Sequence, residues 1–454
     1  MRNRLGIVAC LALLTACAVL MPESWQLRGW QRQASQLRGL SFDVGPPLKL
    51  RHVTADEVHA ILTREMAASY PADYVAAYER AYKALGLLPR ELDLVKTLLE
   101  LQRDQIVGLY TPSDDVMYVR RDLPPGQDDI DTIVIHELVH ALQARHFPQS
   151  MGILRGLRHN DDVAAGIAAA TEGDASLTML GVPDDDLPLH RDLRSARRVR
   201  RIMMVDLEHP TGGFARAPRL LQRSLIFPYA EGTVVAALYY QQGGNWGLDR
   251  MMTDPPLSSL HFFEPELGAG EGFPVEFVGL PLEPLAAAVP AGCAPGHHNV
   301  AGALGLRVLF EVHVEDATEE EITGVVSSWR GDRFLHVGCP DGDGFFWLTR
   351  WASARDAQRF AALYERAAPS IASNAELAAP PAVRVEGRQA VVFTSRLSEA
   401  LPVVLHGTRV RAYHSFGAWL RDDCFPESPC PGPGWGAATG RGRARRSGPR
   451  PAAR

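Results

Sequence analysis

"DTIVIHELVHALQARHF", residues 131–147, decides how this chain reads. Ile130, Ile133, Val134, Leu138, Ala141 and Leu142 recur at helical spacing and predict a buried helix. His136 and His140 stand four residues apart, so one helix face carries both imidazoles and can aim them at a single ion. Glu137 lies one position round, where its carboxylate can reach a water beside that ion but not easily the ion itself. Unpaired polar groups in so apolar a helix are costly, and a metal would satisfy them. HExxH is short enough to arise by chance in roughly a few per cent of chains of this length, so the reading turns on a third ligand.

Such a ligand stands 32 residues after His140, in "AAATEGDAS" (168–176), where Glu172 is embedded in an alanine-rich helix. Small neighbours (Ala168, Ala169, Ala170, Ala175) let that helix pack closely on the first and present a carboxylate to the same ion. Two imidazoles and one carboxylate leave a tetrahedral position open for water, the arrangement of reactive zinc sites. Zinc lowers the pKa of that water, and Glu137 takes its proton as it attacks a polarised carbonyl. Asp174 or Ser176 could orient a ligating histidine. Tyr229, in "FPYAEG" (227–232), is a candidate donor to the developing oxyanion, or else a buried tyrosine at the start of a helix.

HExxH on one helix and EGxA on the next resembles the gluzincin superfamily of zinc metallopeptidases. More narrowly, "HELVHALQARHF", "TEGDA", "FPYAEGTVVAALYYQQGG" and "DPPLSSLHFFEPE", in that order, resemble a group of poorly characterised bacterial metallopeptidase-like proteins over roughly residues 85–275. The resemblance implies zinc ligands at His136, His140 and Glu172 and a general base at Glu137. Two positions depart from the group: Ala144 stands where an acid is usual, and Ser259-Leu260 where Ser-Thr is usual. Neither touches the ligand set.

The N-terminus reads as an export signal. Arg2 and Arg4 precede an apolar run to about Met21, and Leu14-Thr15-Ala16-Cys17 has the form of a bacterial lipobox. It resembles a lipoprotein signal peptide, cut before Cys17 and leaving that cysteine lipidated; a plain secretory signal or an uncleaved anchor would also export the chain. Cys293, Cys339, Cys424 and Cys430 then remain, an even number that in an oxidising compartment predicts two disulfides in one of three pairings. Cys293 with His297 and His298 looks superficially like a ligand group but lacks a second pair at metal spacing. The net charge is −6, and residues 431–454 carry six arginines and no acid, which leaves the rest of the chain near −12 and excludes a nucleic-acid partner. The arginines of 192–201 read as a solvated helix face.

The expected organisation is a signal peptide (1–16), a polar spacer (17–45), a gluzincin-like metallopeptidase domain (46–290), a small α+β domain (291–425) and an Arg/Gly/Pro-rich disordered tail (426–454). The fold class is α+β: a mainly helical first domain with a small hairpin or sheet, then a unit with helices on one face of a sheet. Within these, "GLYTPSDDVMYV" predicts a hairpin whose edge could hold a peptide, Thr54 and Glu57 a capping box, and Asp161 or Asp162 the cap of the Glu172 helix. "FEVHV" (310–314) and "FLHVG" (334–338) read as strands, "TEEEITGVVSSW" as a capped helix between them, and "AVRVEGRQAVVFTS" as a hairpin turning at Gly387.

Three functions are compatible with these residues. The first is a membrane-tethered, exported zinc metallopeptidase with a peptide or protein substrate. The second is a non-catalytic envelope protein with a structural zinc site and a partner-binding C-terminal domain. The third is a metal-dependent hydrolase acting elsewhere, for example on cell-wall peptide. Glu137 and the open metal position favour chemistry, since a purely structural site needs neither.

Overall fold

The computed structural model describes residues 23–103, 106–123, 130–182, 189–268, 273–427 and 430. The expected signal peptide, the lipidated Cys17 and all but a few residues of the expected tail lie outside them. The fold is α+β. No helix among the described residues is long and apolar enough to cross a membrane.

Helix α1 (Glu23–Arg38) turns Leu27, Trp30 and Ala34 to one buried side, the stripe of an amphipathic helix. They join Ile135, Leu138 and Leu142 in one core cluster, and the Trp30 indole N–H donates to Asp131 Oδ1 at 2.8 Å. The expectation of a spacer over 17–45 is corrected here: from Glu23 onward this stretch is part of the folded body, held by a tryptophan that composition alone does not flag. Strand β1 (Lys49–Val53) leads into α2 (Ala55–Ser69), which opens on the expected Thr54–Glu57 capping box. Helices α3 (Ala72–Ala84) and α4 (Leu94–Arg103) follow. The expected hairpin is β2 (Gly108–Thr111) and β3 (Val116–Arg120); β1 adds to it in parallel, giving the order β1-β3-β2 with β2 at an edge.

Helix α5 (Ile130–His146) carries HELVH and is buried on most sides. Helix α6 (Asp161–Met179) carries Glu172; its cap is Asn160, which accepts from the Val163 N–H, rather than Asp161 or Asp162. Asp161 and Asp162 are instead inside the first turn, where acids suit the helix dipole. The basic helix is α7 (Leu193–Glu208). Helix α8 (Arg219–Gly243) starts earlier than "FPYAEG" suggested, so Tyr229 lies within it and not at its start. It ends at Gly244, whose φ of +59° suits a glycine.

In the C-terminal part, β4 (Val275–Gly279) precedes β5 (Ala294–Asn299), α9 (Gly302–His313), β6 (Trp329–Gly338), β7 (Gly344–Trp351), α10 (Ala354–Asn374), β8 (Ala382–Glu386), β9 (Gln389–Phe393) and β10 (Arg409–Tyr413). Five of these strands form an antiparallel sheet in the order β5-β6-β7-β9-β8. "FEVHV" is the end of α9 and not a strand. Leu306, Val308, Leu309 and Phe310 are all buried, and the polar Arg307 and Glu311 are paired with each other and largely buried too, so the period is hidden. The sheet is also covered on both faces rather than one. Phe334 and Trp347 meet Phe360 and Tyr364 of α10 on one side; Leu335 and Phe346 meet Leu285, Leu397 and Val404 on the other. The near-continuous apolar run "GFFWL" fits that two-sided burial.

The two halves share their interior. Strand β4 pairs with β10 across the expected boundary at 290/291, and Val163, Leu220, Phe310 and Trp347 belong to one core cluster. Disulfides join Cys293 to Cys339 and Cys424 to Cys430, one of the three pairings open to the sequence.

Candidate metal centre

Local geometry places the first two groups. On α5, His136 and His140 face the same way, and their Nε2 atoms stand 3.1 Å apart. Helix α6 crosses beneath and brings Glu172 Oε2 to 3.1 Å from His136 Nε2 and 3.3 Å from His140 Nε2. Tetrahedral ligands about 2.0–2.1 Å from a zinc ion lie ~3.3 Å from one another. The three atoms therefore make a triangle of the size one such ion requires. Among the described residues this is the one cluster of three or more His, Cys, Asp or Glu side chains so arranged.

Hydrogen bonding around His140 fixes which nitrogen faces the triangle. Gln143 is buried, and its amide N–H groups donate to the Thr171 carbonyl at 2.9 Å and to Asp174 Oδ2 at 3.0 Å. Its Oε1 must then accept, and it meets His140 Nδ1 at 2.8 Å. The proton of a neutral His140 is thus on Nδ1, which leaves the Nε2 lone pair aimed at the triangle. Asp174 is itself held by the fully buried Arg38 of α1, at 2.7 Å, and Arg38 reaches Asp249 at 2.8 Å. A chain of contacts thus runs from the N-terminal helix to the ligand. Of the two orienting groups the sequence suggested, Asp174 acts through Gln143, and Ser176 makes no hydrogen bond to either histidine among the described residues. Gln143 and Arg38 escaped the sequence reading. Gln143 was findable, three positions after His140 on the same face; Arg38 was not, since only the packing of α1 brings it near.

Burial pulls the His140 imidazole down, but Glu172 beside it reverses this and pushes it up to about 10. Burial likewise favours neutral Glu172, yet His140 and His136 hold it well below the usual carboxylate range. A cation at this point takes the place of the shared proton, since ligating imidazoles must be neutral. His136 Nδ1 is buried without a hydrogen-bond partner among the described residues.

Glu137 is held by the backbone rather than by the three ligands. Its Oε2 accepts from the Tyr110 backbone N–H at 2.9 Å, which ties the carboxylate to β2. Burial raises its pKa, opposed by the two histidines and that N–H. Tyr229 stacks on His136 with ring centroids 6.0 Å apart, and the charge of Glu172, with burial, pushes its hydroxyl pKa well up. All five residues singled out in the sequence are therefore gathered at one point.

Two glycines set how deeply α6 and α8 approach. A Cβ on Gly173 would come 2.2 Å from the Gly232 carbonyl oxygen, and one on Gly232 would come 2.1 Å from that of Ala169. Backbone meets backbone here, and the crossing lies beside Glu172 and one turn from Tyr229. The other candidates do not converge: Cys293 is consumed by its disulfide, and His297 packs against Tyr74 and Tyr78. Arg200, of the basic helix, pairs with Glu231 at 2.6 Å.

A family model for a domain of unknown function (DUF8575) matches residues 292–418, the stretch that carries the five-stranded sheet and none of the five clustered side chains. No significant match was found among curated proteins or among solved structures.

Proposed function

We propose that the protein is an exported zinc metallopeptidase, tethered to a membrane through a lipidated Cys17. The observation that carries the reading is the convergence of three acceptor atoms, His136 Nε2, His140 Nε2 and Glu172 Oε2, with Gln143 fixing the tautomer of one. Zinc, when bound there, supplies a Lewis acid with an open position, which lowers the pKa of water and polarises a carbonyl. Glu137, anchored by the Tyr110 N–H, accepts a proton from the attacking water and delivers it to the departing amine nitrogen. Tyr229, stacked on His136, donates its hydroxyl to the oxyanion of the scissile carbonyl. Export is supported by two disulfides, which persist in oxidising compartments.

The test is zinc content together with hydrolysis of casein and a quenched peptide library, for the full chain and for Glu137→Gln. A parent with about one zinc per chain that cleaves peptide, beside a variant that keeps zinc and loses about 10²–10⁴ of the rate, supports the peptidase. Zinc in both with no cleavage favours the structural site of an envelope protein. No zinc in the parent removes the reading altogether.

A further inference from the structure

An apolar cavity comes within one helical turn of Glu172 and one residue of Tyr229. It encloses about 400 Å³ between α3, α4, α6, α8 and α9. Its wall on α6 is the row Asp161, Ala164, Ala165 and Ala168, and the next turn of the same face carries Glu172. On α8 it ends at Pro228, next to Tyr229. Opposite, Tyr74, Tyr78 and Tyr82 follow one another along α3 at four-residue spacing, so the wall runs for ~12 Å along the helix. Past Met66, Tyr70 and Val95 it joins an open groove between α2, α3 and α4.

The chemistry of the lining is what selects an occupant. The buried aspartates and the tyrosines Tyr74, Tyr78 and Tyr82 that line the cavity are already paired. Asp161 accepts from the Tyr78 hydroxyl at 2.8 Å and the Tyr82 hydroxyl at 2.5 Å, and from Asn299 at 2.9 Å. The Tyr74 hydroxyl donates to the Arg158 carbonyl at 2.5 Å, and Asp162 accepts from Ser259 N–H at 3.0 Å. A peptide backbone threaded inside would find few partners and would lose its hydrogen bonds to water. Hydrocarbon needs none. The volume also exceeds what one side chain requires, since a cavity of ~150 Å³ already holds a benzene ring.

We propose that this cavity binds a single long aliphatic chain, a fatty-acyl group, whose polar end reaches the metal centre. It names the substrate of the proposed peptidase as one that carries an acyl chain close to the bond cleaved, and to that extent rests on the preceding reading. The three alanines of α6 keep the space open where larger residues would fill it.

The experiment is titration of the full chain with 11-(dansylamino)undecanoic acid, followed by displacement with palmitate, with zinc content measured in parallel. The wild type should enhance and blue-shift the probe, and palmitate should displace it. Ala165→Phe and, from the opposite wall, Leu98→Trp should each weaken binding by about tenfold or more, because excluding about two methylenes suffices for that. Both should keep the parental zinc content and far-UV circular dichroism. Probe binding that neither variant weakens, or no binding by the wild type, overturns the proposal. Zinc without probe binding sinks the cavity assignment alone. Probe binding without zinc leaves an acyl site and removes the peptidase.

Discussion

Replacing Gly173 by alanine should cost the protein its metal affinity while leaving most of the fold in place. The added methyl carbon would lie 2.2 Å from the Gly232 carbonyl oxygen and 2.9 Å from its Cα, where ordinary contact begins at 3.4 Å. Both neighbours are backbone, so no side chain can swing aside, and α6 and α8 must part by roughly an ångström. Glu172 is adjacent in sequence, and its carboxylate is held by the two histidines of α5. Ligand distances in a working site tolerate only ~0.2 Å. Overpacking of this kind costs about 1–3 kcal/mol of stability, and displacing a ligand's support lowers metal affinity by about 10–100-fold. Zinc affinity by titration against a competing chelator, with calorimetric unfolding of the metal-free protein, reads both effects. Gly29→Ala is the control: nothing lies within 4 Å of its added carbon, it is interior to α1, and the change should raise stability by about 0.5–1 kcal/mol. Gly173→Ala with a zinc Kd within about twofold of the parent, and an unchanged Tm, would refute the claim that this crossing sets the site.

Other perturbations probe the surroundings. Gln143→Ala should weaken zinc binding by about 10–100-fold with little change in the metal-free Tm. Asp174→Ala should do the same and also destabilise by ~3 kcal/mol, because Arg38 is left buried with Asp249 alone; equal urea midpoints for the two variants would contradict the role given to Arg38. Burial, with Asp332 nearby, pushes the Asp162 carboxyl up to about 6, against bonds from Ser258 and Ser259 that favour its charge. A raised carboxyl stabilises the fold fully below its unfolded pKa of 3.8, and that contribution is lost as pH rises through 6. Urea unfolding between pH 4 and pH 7 should therefore show the wild type losing stability relative to Asp162→Asn, by on the order of 3 kcal/mol; parallel curves would count against it. Cys293→Ala with Cys339→Ala opens a link spanning 46 residues and should cost about 4 kcal/mol, read as a fall in Tm at unchanged zinc content.

What was legible in the sequence is what depends on near neighbours along the chain. Four-residue spacing puts His136 and His140 on one face of any helix, so the pair and Glu137 could be read without a fold. The Thr54–Glu57 capping box, the β2–β3 hairpin and the turn at Gly387 are equally local. Where local signals are symmetrical, the reading fails. Helix α9 is buried along most of its length, so "FEVHV" carries as much strand character as helix, and its packing against Trp347 of β7 and Phe360 of α10 decides the outcome.

Tertiary structure alone decided the rest. Glu172 was a plausible third ligand by composition, but the 3.1 Å and 3.3 Å approaches exist because Gly173 and Gly232 let two backbones touch. The tautomer of His140 depends on Gln143, which depends on Asp174, which depends on an arginine 136 residues earlier in a segment that composition presents as a spacer. The sheet edge shared by β4 and β10 and the apolar cavity beside Ala168 likewise have no counterpart in local sequence. The physical reason is the same in each case. A helix face is fixed by backbone geometry within a few residues, whereas hydrogen-bond direction, close approach and enclosed volume belong to pairs of elements that meet only in the folded chain.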